Sequence, residues 1–133
     1  MMRFSFISLL LIISSQVCFA QEYDDEVMYD LASRFKDLSQ KVDGYVKFSP
    51  GAIKENASVL ENAGVKTIIQ REFSGYDVKV DVQGTNVVML LCKDNVALIE
   101  DAGCNAELDK ALWKSPEANS CRVTLESSSV CGL

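Results

Sequence analysis

The spacing of the apolar residues changes at Gly75, and this change restricts the fold class more than any other feature of the chain. Before Gly75 the apolar residues recur at steps of three and four, which is the repeat of a helix with one buried face. After Gly75 they alternate with polar residues or form short continuous runs, as strands do. Helices followed by strands predict an α+β domain, with N-terminal helices packed on a small antiparallel sheet.

The first predicted helix covers Glu22 to Asp43. Its apolar stripe consists of Met28, Leu31, Phe35, Leu38 and Val42. Gly44 is predicted to end this helix, because glycine is common just after a helix C-cap. Tyr45 to Phe48 is then predicted to form a short extended segment.

Two more helices are predicted before the strands. The first begins at Ser49-Pro50, an N-cap residue followed by proline at the first helical position, and it ends at Gly64. Its inner face carries Ile53, Ala57 and Leu60. Residues 65–73 keep helical spacing and predict a short helix that runs to Ser74-Gly75.

Three strands are predicted after Gly75. They cover Val78 to Val82, Val87 to Cys92 and Val96 to Ile99. The turns between them are Gly84-Thr85 and Asp94-Asn95. Tight turns of this kind join neighbouring strands, so the three segments are predicted to form an antiparallel meander.

The remaining chain is predicted to contain a short helix and one more strand. Asn105 can cap the helix, which carries Leu108, Leu112 and Trp113, and residues 114–120 form a polar loop. Arg122 to Glu126 is predicted to be the last strand, followed by a tail that Cys131 ties down. We interpret Trp113 as a core residue rather than an exposed binding anchor.

The N-terminus has the pattern of a cleaved signal peptide. Arg3 precedes the apolar run Phe4 to Ile13, and small residues lead to a predicted cut between Ala20 and Gln21. The apolar run is about half of the roughly 20 residues that a membrane-spanning helix needs, which disfavours an uncleaved anchor. We therefore expect a signal peptide at residues 1–20 and one α+β domain at residues 21–133. Such a protein is secreted, or periplasmic in a Gram-negative bacterium.

Four cysteines remain after the predicted cut, and they predict two disulfides. These are Cys92, Cys104, Cys121 and Cys131. Their spacing lacks the close pairs that structural zinc sites use, so a metal site is disfavoured. We predict the pairing Cys92–Cys104 with Cys121–Cys131, since each bond would close a short loop. The pairing Cys92–Cys121 with Cys104–Cys131 is the competing arrangement, and it would hold the last strand against the sheet.

The net charge is −6, and it becomes −7 when Arg3 leaves with the signal peptide. Nucleic acids and anionic membranes bind clustered lysines and arginines, so neither is an expected partner. No segment after the signal peptide is apolar for long enough to span a bilayer. A protein partner, basic in character, is compatible with this charge.

The chain contains no histidine. This excludes the Ser-His and Cys-His nucleophile pairs, and paired cysteines would leave no thiolate. Phosphate-binding loops, dinucleotide turns and nucleophile elbows are also absent from the sequence. We therefore expect no cofactor and no catalytic or metal-binding residue of these kinds.

Glu100 and Asp101 are the strongest remaining catalytic candidates, because paired carboxylates can act as acid and base. Neighbouring side chains on one extended segment point different ways, however, and rarely share a cleft. We favour a structural role in which these carboxylates cap or solvate the turn that follows.

Two classes of function follow from these observations. The first is an exported, non-catalytic binding or accessory protein, such as an inhibitor, an immunity-type protein or a partner in envelope assembly. The alternative is a small carboxylate-dependent hydrolase that uses Glu100 and Asp101. The missing catalytic motifs favour the first class.

Overall fold

The computed structural model describes residues 25–52, 54–108, 113–114 and 120–131. The predicted signal peptide at residues 1–20 and its cleavage site lie outside these residues. So do residues 22–24 of the predicted first helix, Ile53, Leu112 and residues 115–119.

The first helix, α1, spans Asp25–Phe48 and packs its apolar stripe against the sheet. The predicted stripe is confirmed, and Phe35 and Val42 are fully buried. The prediction that Gly44 ends the helix, with an extended segment after it, is wrong. Val46 lies one turn beyond Val42 and is also buried, and this packing outweighs the roughly 1 kcal/mol by which glycine disfavours a helix interior. The helix ends instead shortly before Pro50, because proline disfavours helical backbone in the residue that precedes it.

Two short helices follow, α2 at Val59–Asn62 and α3 at Lys66–Glu72. The second agrees with the predicted helix at residues 65–73. The helix predicted to begin at Ser49-Pro50 is wrong over most of its length. Gly51 has a φ of +67°, which interrupts helical backbone, and Ala57 lies exposed in a turn. Gly64, with a φ of +71°, does end α2 as predicted.

The three predicted strands form an antiparallel meander in the order β1-β2-β3. They are β1 Asp77–Gln83, β2 Asn86–Lys93 and β3 Val96–Ala102. Both predicted turns are confirmed. Gly84 has a φ of +67°, and Asp94 and Asn95 have φ values of 50° and 64°, as two-residue hairpin loops require.

The main core lies between the helices and one face of the sheet. Phe35 of α1 meets Phe73 edge to face at 5.7 Å, while Met89 and Leu91 of β2 face them from the sheet. The opposite sheet face, called the outer face, carries a smaller cluster around Leu90 and Cys92.

Residues 120–127 cross the outer face of the sheet, and we call this segment the strap. The strand predicted at Arg122 to Glu126 is wrong, since among the described residues the sheet has three strands and the strap is irregular. A short helix, α4 at Ser128–Cys131, follows the strap.

The four cysteines after the predicted signal peptide form two disulfides, but their connectivity is the competing arrangement rather than the predicted one. Cys92 pairs with Cys121 and Cys104 pairs with Cys131, at Cα separations of 5.8 and 5.6 Å. The predicted pairs Cys92–Cys104 and Cys121–Cys131 are wrong because the strap runs back over the outer face. One end of the strap therefore lies beside Cys92, and α4 lies beside Cys104. The predicted fold class is confirmed: helices pack on a small antiparallel sheet, and two disulfides connect distant parts of the chain.

Candidate functional site

The two candidate carboxylates, Glu100 and Asp101, lie side by side on β3 but point to opposite faces of the sheet. Glu100 is opposite Leu90 in the strand register, and Asp101 is opposite Met89. Asp101 consequently faces α1, whereas Glu100 faces the strap. Each residue is only 1% exposed. The expected divergence of the two side chains is confirmed. The expectation that they cap or solvate the turn that follows is wrong, because both are buried and bind side chains and backbone of other segments.

Asp101 belongs to a buried polar cluster between α1 and the end of β3. Its Oδ1 accepts a hydrogen bond from Lys36 Nζ at 2.7 Å, and its Oδ2 accepts one from the Ser39 hydroxyl. Lys36 also donates to the Asn105 carbonyl at 2.7 Å. Burial raises the pKa of Asp101 above its ordinary value, although the bonds from Lys36 and Ser39 oppose that rise.

Asp43 extends this cluster toward the start of β2. Its Oδ1 accepts the Val87 backbone N–H at 2.9 Å, and its Oδ2 lies 3.4 Å from Lys47 Nζ. Gly103 packs directly on α1 here, because a Cβ at this position would overlap the Ser39 carbonyl oxygen and the Asp43 Cβ. The Gly103 N–H donates to the Val87 carbonyl at 3.0 Å. The polar groups of the cluster thus bind one another.

On the outer face, Glu100 binds the middle of the strap. Its Oε2 accepts the Thr124 N–H at 2.7 Å, and its Oε1 accepts the Thr124 hydroxyl at 2.8 Å. Lys114 Nζ lies 3.2 Å from the same Oε1. These contacts use the carboxylate to hold protein segments that are distant in sequence.

A solvent-open groove of about 550 Å³ lies between β1 and the strap. Its lining consists of Asp81, Gln83, Val123, Thr124, Leu125, Glu126, Ser127 and Ser128. Gln83 connects the two walls, since its Nε2 donates to the Leu125 carbonyl at 3.0 Å and its Oε1 accepts the Ser127 N–H at 2.6 Å. Asp81 and Glu126 supply negative charge, and none of the described residues that line the groove is basic. The groove can therefore receive polar or cationic groups, but Glu100 and Asp101 do not line it.

Trp113 lies half-buried at the margin of the main core. Its ring meets the Tyr29 ring edge to face, with 4.8 Å between centroids. This position agrees with the interpretation of Trp113 as a core residue. The helix predicted around it falls mostly outside the described residues.

The sequence contains a signal for part of the buried cluster. Lys36, Ser39 and Asp43 recur at steps of three and four immediately beside the apolar stripe of α1, so they occupy one edge of its buried face. Gln83 and Thr124 carried no comparable signal, because their partners are 42–44 and 24 residues away.

Within the part of the chain that the structure describes, no group of three or more acidic or cysteine side chains is arranged to hold a metal ion. None of the described helices is both long enough and apolar enough to cross a membrane. No family model matches the chain, and no curated protein or solved structure is significantly similar to it.

Proposed function

We propose that this is an exported, non-catalytic binding or accessory protein. The observation that carries the proposal is the position of Glu100 and Asp101. Each carboxylate is 1% exposed, they lie on opposite faces of β3, and each is bound to groups of the protein itself. Acid and base catalysis requires both groups to reach one substrate, so this geometry favours binding over the hydrolase alternative.

The groove between β1 and the strap is the binding surface that fits this function best. It is open, polar and acidic, and one of its two walls is the strap, which the two disulfides and Glu100 hold in place. A preformed surface avoids the entropy cost of ordering a loop on binding. A protein partner with a lysine or arginine side chain for this groove is therefore the expected ligand. The two disulfides also support export, since they persist in oxidising compartments.

Cross-linking in the envelope or medium of the native host tests this function. The strap variant Glu126→Lys reverses one charge in the groove. Asp37→Lys, on the exposed side of α1, makes the same change of charge far from it. We expect a defined protein to be cross-linked by the wild type and by Asp37→Lys but not by Glu126→Lys. Equal cross-linking by all three proteins, or substrate turnover that Glu100→Gln abolishes, would contradict the proposal.

A further inference from the structure

The outer edge of β1 is open to hydrogen bonding by another strand. Among the described residues β1 pairs with β2 alone, so its other side is an edge of the sheet there. The Val82 N–H points to this edge, where it donates to Asn56 Oδ1 at 2.7 Å. Backbone groups alternate along a strand, so those of Val80 and Val78 point the same way. Among the described residues, no hydrogen bond occupies these outward groups.

Asn56 covers one end of the edge and thereby limits where a new strand can pair. Its Oδ1 takes the Val82 N–H, and its Nδ2 donates to Asp81 Oδ1 at 3.1 Å. The backbone near Val82 is blocked by this side chain. The free part of the edge is therefore centred on Val78 and Val80.

The side chains at this edge also suit an added strand. α1 packs over β2 and β3 rather than over β1, and Val78 and Val80 are consequently only half-buried. Asp77, Lys79 and Asp81 alternate with these valines on the outer face, and the first two are exposed. An added strand that alternates valine with charged residues of the opposite sign would cover the valines and pair the charges.

We propose that β1 pairs with β1 of a second copy of this chain, antiparallel and with Val78 opposite Val78. The two Val78 residues then exchange their outward backbone hydrogen bonds across a two-fold axis. Asp77 of each copy lies opposite Lys79 of the other, which gives two cross-strand pairs of opposite charge. The result is one continuous six-stranded sheet.

Two other antiparallel registers are less favourable for reasons visible at the same edge. A register centred on Lys79 places the two lysines opposite each other and Asp77 opposite Asp81, so like charges meet. A register centred on Val80 pairs the charges well, but it brings Val78 of one copy against Val82 of the other. Asn56 already occupies the Val82 N–H there. The charges and Asn56 together select the Val78 register.

Charge-swap variants measured by sedimentation test this dimer. The disulfide-bonded mature protein is compared at concentrations from micromolar to millimolar. Asp77→Lys places lysine opposite lysine and should weaken dimerisation at least about tenfold, because two attractive pairs become repulsive. The double variant Asp77→Lys/Lys79→Asp restores both pairs and should restore the dimer. Asp37→Lys carries the same charge change on α1 and should dimerise like the wild type.

Amide hydrogen exchange of the wild type provides a second readout that does not depend on variants. The Val78 and Val80 amides should become protected as the protein concentration rises, while the exposed amides of the Gly51 turn should not. A wild-type protein that stays monomeric throughout overturns the proposal, as does a dimer that Asp77→Lys leaves intact. Unprotected Val78 amides in the dimer would likewise overturn it.

Discussion

Thr124 donates its backbone N–H to Glu100 Oε2 at 2.7 Å and its hydroxyl to Glu100 Oε1 at 2.8 Å. Both oxygens of one buried carboxylate thus bind a single strap residue. The strap makes no ladder with the sheet at this point, so this side chain substitutes for strand pairing. The relationship explains why a glutamate is buried on the outer face, and it makes the strap sensitive to one residue.

Replacing Glu100 by alanine should destabilise the protein by about 2–3 kcal/mol, because the Thr124 N–H and Lys114 lose their acceptor. Thr124→Val keeps the backbone bond and should cost only about 1 kcal/mol. Urea unfolding of the oxidised protein measures both. Glu107→Ala, at an exposed position, is the control. An unfolding free energy for Glu100→Ala equal to that of the control would show that Glu100 does not hold the strap.

Gly103 should not tolerate a larger residue, whereas Gly44 should tolerate alanine. Gly103→Ala places a methyl group against the Ser39 carbonyl oxygen and the Asp43 Cβ, so α1 and β3 must separate. We expect a loss of about 1–3 kcal/mol. Gly44→Ala meets nothing within 4 Å inside α1 and should stabilise the protein by about 0.5–1 kcal/mol. Thermal unfolding of the two variants should shift in opposite directions, and equal shifts would refute the close packing at Gly103.

The sheet could be predicted from the sequence because its signals are local. The alternation in β1, the continuous apolar run of β2 and the two turns each depend on residues within a few positions of one another. The backbone angles of Gly84, Asp94 and Asn95 are those that such turns need. Where neighbouring residues determine the structure, the sequence pattern is sufficient to predict it.

The errors occurred where distant residues decide the structure. Gly44 would end an isolated helix, but the sheet buries Val46 and α1 continues. The segment after Pro50 would suit a helix, yet Asn56 binds the edge of β1, 25 and 26 residues away. Likewise, strand alternation predicted that Glu100 and Asp101 diverge. Their partners Thr124 and Lys36 could not be identified before the packing of the strap and α1 was known.

The raised pKa of Asp101 predicts a defined dependence of stability on pH. Burial raises this pKa in the folded protein, whereas an unfolded aspartate has a pKa of about 3.9. Because the pKa of Asp101 in the folded protein lies above its unfolded value, the folded state holds the proton more tightly than the unfolded state does. The contribution of Asp101 to stability is therefore greatest at low pH and falls as pH rises through the folded pKa.

Asp101→Asn is the reference that isolates this group. The unfolding free energy of the wild type minus that of the variant should decrease as pH is raised from below about 3.9, and then level off. Chemical denaturation at a series of acidic pH values gives this difference. A difference that grows with pH would mean that Lys36 and Ser39 outweigh burial, which is opposite to our expectation.

The disulfide connectivity has the most direct chemical test. Proteolysis without reduction should release one peptide pair joining Cys92 to Cys121 and another joining Cys104 to Cys131, with no free thiol at these four positions. The bonds join residues 29 and 27 positions apart, and in the chain-entropy model each such loop contributes about 3.5 kcal/mol. Substituting both cysteines of either pair by alanine should therefore lower the unfolding free energy by a similar amount. The loss of Cys92–Cys121 should additionally speed amide exchange in β2 and β3 beneath the strap, because Leu90 and Ala97 lose the cover of Cys121 and Val123. A linked peptide that contains Cys92 and Cys104 would instead show that the strap does not cross the outer face.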